Sequence, residues 1–175
     1  MKHILICGDK GAGKSTLISR LLEETGLPVS GFVTKRLPSG EDGFHPIYIH
    51  PAGEPEEQRR REEENCIGTC NGRIHNINLQ TFDTVGAALI KGAAPGSILV
   101  MDELGFMEAG AVAFTKAVFD ALDGDIPVLA AVKSRRDIPF LEKLRSHPKT
   151  EVWELTPQTR EEVFEQLLAV LRRQA

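Results

Sequence analysis

Gly8-Asp9-Lys10-Gly11-Ala12-Gly13-Lys14-Ser15 stands between the apolar run His3-Ile4-Leu5-Ile6-Cys7 and a segment in which Leu17, Ile18, Leu21 and Leu22 recur at helical spacing. The octet satisfies G-x-x-x-x-G-K-[ST] at every specified position, and a strand before it with a helix after it is the context that pattern requires. Glycines reach backbone conformations closed to other residues, so consecutive N–H groups can converge on phosphate oxygens. The helix opening near Lys14 adds its unpaired N–H groups and its positive dipole end. The expected roles follow. Gly8, Asp9, Lys10, Gly11, Ala12 and Gly13 form a phosphate cradle, Lys14 reaches the β- and γ-phosphates, Ser15 offers its hydroxyl to Mg²⁺, and Thr16 meets the α-phosphate. Such a loop recognises phosphates and leaves the base open.

Working outward, Gly26 and Pro28 stop the first helix. Val29 to Thr34 and Phe44 to Ile49 are β-rich runs on either side of Pro38-Ser39-Gly40-Glu41-Asp42-Gly43, which predicts a hairpin inserted after that helix. Pro51 to Glu64 is charged and lacks apolar anchors, the signature of an exposed loop or frayed helix. From Thr81 onward helix and strand alternate. Phe82, Val85, Ala88 and Leu89 mark a helical face, Ser97 to Met101 a buried strand, and Ala111 to Leu122 a helix. Pro127 to Val132 reads as a strand, Pro139 to Leu144 as a helix and Val152 to Leu155 as a last strand. The C-terminal helix, about Arg160 to Arg172, presents Val163, Phe164, Leu167, Leu168 and Leu171. This alternation predicts an α/β fold with a mostly parallel sheet flanked by helices.

The strand Ile98-Leu99-Val100-Met101 runs into Asp102-Glu103, two carboxylates at the carboxyl edge of the sheet, where ligands bind in open α/β folds. Beside a phosphate loop, Asp102 is suited to hold Mg²⁺, usually through water, and Glu103 to polarise a water attacking the γ-phosphate. Without the loop the same pair would read as a solvated strand end.

The bulk properties narrow the classes. A chain of 175 residues, 41% of them hydrophobic, is long enough for one sizeable core, so residues 1–175 are expected to form one domain. A formal net charge of -4 argues against broad attraction to nucleic acid or anionic membranes. No apolar run approaches the ~20 residues that span a bilayer, and the three cysteines do not describe a disulfide framework, which together predict a cytoplasmic protein with reduced thiols.

Several segments, in order, resemble the small nucleoside-triphosphatase family that includes the cancer-related nucleoside-triphosphatase. They are the phosphate loop, Gly31-Phe32-Val33-Thr34 followed by Gly43-Phe44, the octet Met101-Asp102-Glu103-Leu104-Gly105-Phe106-Met107-Glu108, Pro127-Val128-Leu129-Ala130, and Thr156-x-x-x-Arg160. The resemblance implies a Mg²⁺-dependent enzyme that slowly hydrolyses several nucleoside triphosphates to diphosphate and phosphate. It also implies a further strand between the phosphate-loop strand and the acidic strand. The chain departs from the family pattern at Phe106, at Thr159 and around Cys66 to Asn71, positions that bear on substrate preference.

A cation that stabilises charge on the transferring phosphate would complete such a site, and Arg135, Arg136 and Arg160 are the candidates. Arg135 and Arg136 follow a strand at the correct sheet edge, though solvation is the simpler fate of both. Arg160 opens the last helix, where its charge opposes the dipole, and is assigned a nucleotide contact. Cys66-x-x-x-Cys70 with His75 offers three zinc-type ligands at an unusual spacing and reads as an ordinary loop. Cys7 reads as a core residue, and Phe32 and Phe44 as hairpin packing. Two other functions use the same motifs. A nucleotide or nucleoside kinase would activate an acceptor hydroxyl in place of water, and would need an arginine-lined acceptor site and a basic lid, and the sequence shows no obvious basic lid. An adaptor or switch would answer to an unidentified protein partner, with turnover only resetting it.

Overall fold

The computed structural model describes residues 2–174. Among these, eight strands form one sheet in the order β5-β4-β3-β2-β6-β7-β1-β8. Strand β1 (His3–Gly8) lies parallel to β7 (Val128–Lys133) on one side and β8 (Thr150–Glu154) on the other. Next come β6 (Ile98–Leu104) and β2 (Val29–Arg36), also parallel. The family expectation of a strand between the loop strand and the acidic strand is met by β7. Beyond β2 the sheet turns antiparallel through β3 (His45–Pro51), β4 (Cys66–Cys70) and β5 (Ile74–Ile77).

The predicted hairpin is β2–β3, but its first strand also belongs to the parallel core, and the antiparallel run continues two strands further. Cys66 to Cys70, expected as loop, is therefore a strand. Cys-Ile-Gly-Thr-Cys gives only a weak alternation, and its β-structure comes from pairing with β3 and β5 rather than from local pattern. Pro51 to Glu64 is irregular as expected, with short 3₁₀ turns at Glu56–Gln58 and Glu63–Asn65.

Strands buried on both faces explain the continuous apolar runs. In β1, Ile4 and Ile6 pack with Leu17, Ile18, Leu167 and Leu168 beneath α1 (Lys14–Thr25) and α6 (Arg160–Gln174). Leu5 and Cys7 point the other way, toward a core that includes Phe32, Phe82, Phe114, Phe140 and Leu141. That second face is covered by α2 (Leu79–Thr81), α3 (Ala87–Lys91), α4 (Val112–Asp123) and α5 (Pro139–Arg145). Phe114 is the hub, with ring centroids 5.5 Å from Phe32 and 5.2 Å from Phe82. Phe32 is thus core, as its hairpin position suggests.

One stretch breaks the helical periodicity. Phe82–Gly86 joins α2 to α3 as a π turn, which holds one residue more than an α turn. The buried face becomes Phe82, Gly86, Ala87 and Ile90, while Ala88, expected inside, is exposed. A Cβ at Gly86 would sit 2.7 Å from a Phe114 ring carbon, so the absent side chain is what lets this turn approach α4. Among the described residues, no helix is long and apolar enough to cross a membrane.

Candidate active site

The loop between β1 and α1 holds its shape through glycine. Gly11 and Gly13 have φ of 83° and 100°, and Gly13 caps α1 without a side-chain hydrogen bond. The first N–H groups of that helix are left for a ligand. From outside, the Arg160 guanidinium clamps the loop: Nε donates to Ala12 O at 2.6 Å and Nη2 to Gly11 O at 2.8 Å. Arg160 therefore meets carbonyl groups of the loop, which accounts for a cation at the start of α6 without invoking an anion.

Lys14, 7% exposed, lies back across its own loop, donating from Nζ to Gly8 O at 2.7 Å and Asp9 O at 3.3 Å. Its charge faces Glu103 Oε2 at 3.4 Å. The other oxygen of Glu103 faces Lys133 Nζ at 3.7 Å, so one carboxylate bridges two lysines. The register of β6 against β7 slips between Asp102 and Leu104, making Glu103 the extra residue of a bulge, a device that re-aims side chains beside active sites. The Asp102–Glu103 peptide is cis.

Ser15, in the first turn of α1, donates from Oγ to Asp102 Oδ1 at 2.9 Å. Asp102 is 8% exposed, and burial pushes its carboxyl group up to about 6, opposed by the Ser15 hydrogen bond and reinforced by the neighbouring Glu103 charge. Thr34, on β2, donates to the Asp102 carbonyl at 3.3 Å. Two hard oxygen donors, a hydroxyl and a carboxylate, thus meet beside the phosphate loop with a second carboxylate adjacent.

A further carboxyl group went unassigned in the sequence. Glu108, in a 3₁₀ turn at Met107–Gly110, is buried and accepts the Gly105 N–H through Oε1, closing the segment that follows Glu103. Burial pushes it up to about 7. The loop's far rim is Phe106, whose ring lies 5.1 Å from Lys133 Nζ and 5.3 Å from the Arg135 guanidinium carbon.

A cavity of about 840 Å³ opens at the carboxyl edge of the parallel strands, lined by Gly8 to Gly11, Gly13 to Thr16, Thr34, Glu103, Phe106, Glu108, Lys133 and Arg135, and by residues of β3 to β5, with Asp102 buried behind Ser15 and Arg160 outside the lining. A family model described as NTPase matches residues 3–168. The chain belongs to the NTPase family. It is an enzyme of that class, and the phosphate loop, acidic strand end and cavity are its candidate site.

Related chains bear this out along their length. The nucleoside-triphosphatase THEP1 of Methanocaldococcus jannaschii is 31% identical over 176 residues, covering 95% of each chain. That of Thermotoga maritima is 30% identical over 97% of this chain and 95% of its own. The cancer-related nucleoside-triphosphatase homolog of Bos taurus is 26% identical, again over 95% of each. The crystal structure of THEP1 from Aquifex aeolicus shares the fold, with a TM-score of 0.74 at 23% identity over 97% of this chain and 98% of that one.

Of the other sequence candidates in this NTPase, Arg135 lines the cavity but is held by Asp137, with Nε to Oδ1 at 2.7 Å. Arg136 points away, toward Glu142 and Glu154 at 3.4 and 3.7 Å. Cys7 is buried in the core. Cys66 donates to Gly68 O at 3.6 Å, Cys70 lines the cavity wall, and the His75 side chain lies outside what the structure describes. Lys133 was legible in principle, being the next residue after the expected end of β7 at the same sheet edge. Glu108 stood in the octet that carried the family resemblance, yet its role depends on a turn that no periodicity announces.

Proposed function

We propose that this NTPase hydrolyses nucleoside 5'-triphosphates, with Mg²⁺ and little base selectivity, to the diphosphate and phosphate. The observation that carries the reading is the bridge Lys14–Glu103–Lys133 beside the Ser15–Asp102 pair. Loop N–H groups from Gly8 to Thr16 bind the phosphate oxygens, and Lys14 and Lys133 stabilise charge on the terminal phosphoryl group. Glu103 accepts a proton from water as its oxygen bonds to the γ-phosphorus and the bond to the β,γ-bridging oxygen breaks. Arg160 positions the loop through the Gly11 and Ala12 carbonyls.

The donor set suits Mg²⁺, which favours hard oxygen ligands and commonly keeps several waters while sharing substrate phosphates. Ser15 and Asp102 are the residues to hold it, and the Asp102 carboxylate, whose burial is only partly offset by the Ser15 hydrogen bond and the Lys14 charge, is a negative charge that a divalent cation relieves. When bound, the ion neutralises charge on the β- and γ-phosphates. Low base selectivity fits a phosphate loop, whose N–H groups and lysine recognise phosphates and leave the base open. We place the enzyme in the cytoplasm as a single domain over residues 1–175, without affinity for nucleic acid or membranes, in keeping with its net charge of -4 and its free Cys7, Cys66 and Cys70.

The test is phosphate release from each common ribonucleoside triphosphate with Mg²⁺, beside Glu103→Gln. Release from several triphosphates, reduced by about 10²-fold or more in the variant with nucleotide affinity kept, is the expected result. Undiminished release in Glu103→Gln would remove Glu103 from the mechanism, and binding without release would remove hydrolysis.

A further inference from the structure

The cavity extends well past the phosphate loop. Sheet order puts β7, β6 and β2 between β1, which leads into the loop, and the antiparallel strands, so the part lined by Arg36, Ile47, Ile67, Arg73, Ile74 and Phe82 lies beyond the point where Lys14 meets Glu103. Arg36 ends β2, paired with Ile47 of β3, and β4 runs parallel to β2, so the turn carrying Arg73 overhangs the same edge. Neither Arg36 nor Arg73 has a carboxylate partner among the described residues, unlike neighbouring Lys35, which pairs with Glu56 at 3.5 Å. The lining as a whole is cationic in a protein of net charge -4. Lys10, Lys14, Lys133 and Arg135 serve the loop side, which leaves the two arginines and an apolar wall with no part in hydrolysis.

We infer that this outer part of the cavity is an acceptor subsite for a nucleoside monophosphate, to which the enzyme transfers the terminal phosphoryl group in competition with water. The inference rests on the phosphate-loop reading above. Guanidinium groups recognise phosphate oxygens in a planar, two-pronged geometry, and the half-buried Ile47 and Ile74, backed by the core residues Ile67 and Phe82, form an apolar bed for the base. The volume of about 840 Å³ is near the top of the ~300–1,000 Å³ common for small-molecule sites, consistent with room for two ligands. In the step, an acceptor phosphate oxygen bonds to the γ-phosphorus while the bond to the β,γ-bridging oxygen breaks. One triphosphate and one monophosphate become two diphosphates. An ionised phosphate has no proton to lose, so Glu103 is needed for hydrolysis but not for transfer.

The experiment incubates the full chain at pH 8 with γ-labelled ATP, Mg²⁺ and each common nucleoside monophosphate, resolving labelled diphosphate from free phosphate. Labelled diphosphate that requires the monophosphate, persists in Glu103→Gln, and falls about tenfold relative to phosphate in Arg36→Gln/Arg73→Gln supports the proposal. Lys35→Gln, on the same strand but outside the cavity lining, should leave the ratio unchanged. Phosphate release with no labelled diphosphate from any monophosphate overturns the acceptor subsite and leaves hydrolysis standing. Diphosphate formed equally well by the double arginine variant overturns the assignment to this part of the cavity. Loss of both products in the unaltered protein overturns the phosphate-loop reading and the proposal with it.

Discussion

Ser15 Oγ donates to Asp102 Oδ1 at 2.9 Å, tying the first turn of α1 to the end of β6 across 87 positions of the chain. The contact is made by a carboxyl group whose burial pushes it from 3.8 up to about 6. Between those values the folded protein holds the proton more tightly than the unfolded chain, so stability falls as pH rises through the window and stays reduced above it. Asp102→Asn removes that loss while keeping an acceptor for Ser15. In EDTA at pH 7.5 the variant should melt at a higher temperature, by an amount corresponding to at most about 3 kcal/mol, and near pH 3.5 the two proteins should melt alike. Mg²⁺-dependent nucleotide binding should weaken in the variant, and in the parent as pH drops below about 6. A less stable variant at pH 7.5 would contradict the account of a strained buried charge.

Glu108 gives a second pH-dependent contribution of the same sign at a higher position, since burial raises it from 4.5 to about 7. Glu108→Gln keeps an oxygen for the Gly105 N–H and should flatten the stability profile between about pH 5 and pH 7.5. Glu108→Ala leaves that N–H buried and unpaired, a cost of about 1–3 kcal/mol. Urea unfolding across pH is the check, and identical profiles for parent and Gln variant would refute the assignment.

Arg160→Ala should loosen the phosphate loop, raising KM for the triphosphate by about tenfold with a smaller change in kcat, because two charge-assisted hydrogen bonds are lost. Arg160→Lys should recover little, since an ammonium group cannot reproduce the planar fork that spans two carbonyl groups. Should kcat fall with KM unchanged, Arg160 would act on the transition state and not on loop shape.

Gly31 sits inside β2 at φ 95°, and a Cβ there would lie 2.0 Å from the Val100 carbonyl oxygen. Both the backbone angle and the space exclude a side chain, so Gly31→Ala should destabilise by about 4 kcal/mol or more. Chemical denaturation reads this directly; a loss of less than about 1 kcal/mol would mean that β2 and β6 can separate without penalty.

The parallel half of the sheet was readable because strands buried on both faces leave continuous apolar runs, as Ile98 to Met101 and Val128 to Val132 do. The phosphate loop was readable because its chemistry fixes residue types at fixed spacing. The antiparallel half was readable only as far as the hairpin of β2 with β3. In β4 a glycine and two cysteines dilute the pattern, and the strand exists through its neighbours. The π turn at Phe82–Gly86 misled the assignment of buried residues because a period of one helix type was applied across a local change of type. At the site, Asp102 and Glu103 were found by their place at the end of an apolar run, although β6 continues through them to Leu104, whereas Glu108, Arg36 and Arg73 owe their positions to turns and strand pairing remote in sequence.

The bridge of Glu103 between Lys14 and Lys133 means that the site carries its own counterion. On the hydrolytic reading, an arriving triphosphate does not neutralise idle lysines; it displaces a carboxylate from them. Docking and arming then become one exchange, since the anion that takes the lysines is the one whose arrival frees the base. Binding should accordingly depend less steeply on ionic strength than two unpaired lysines would imply, because one ion pairing replaces another.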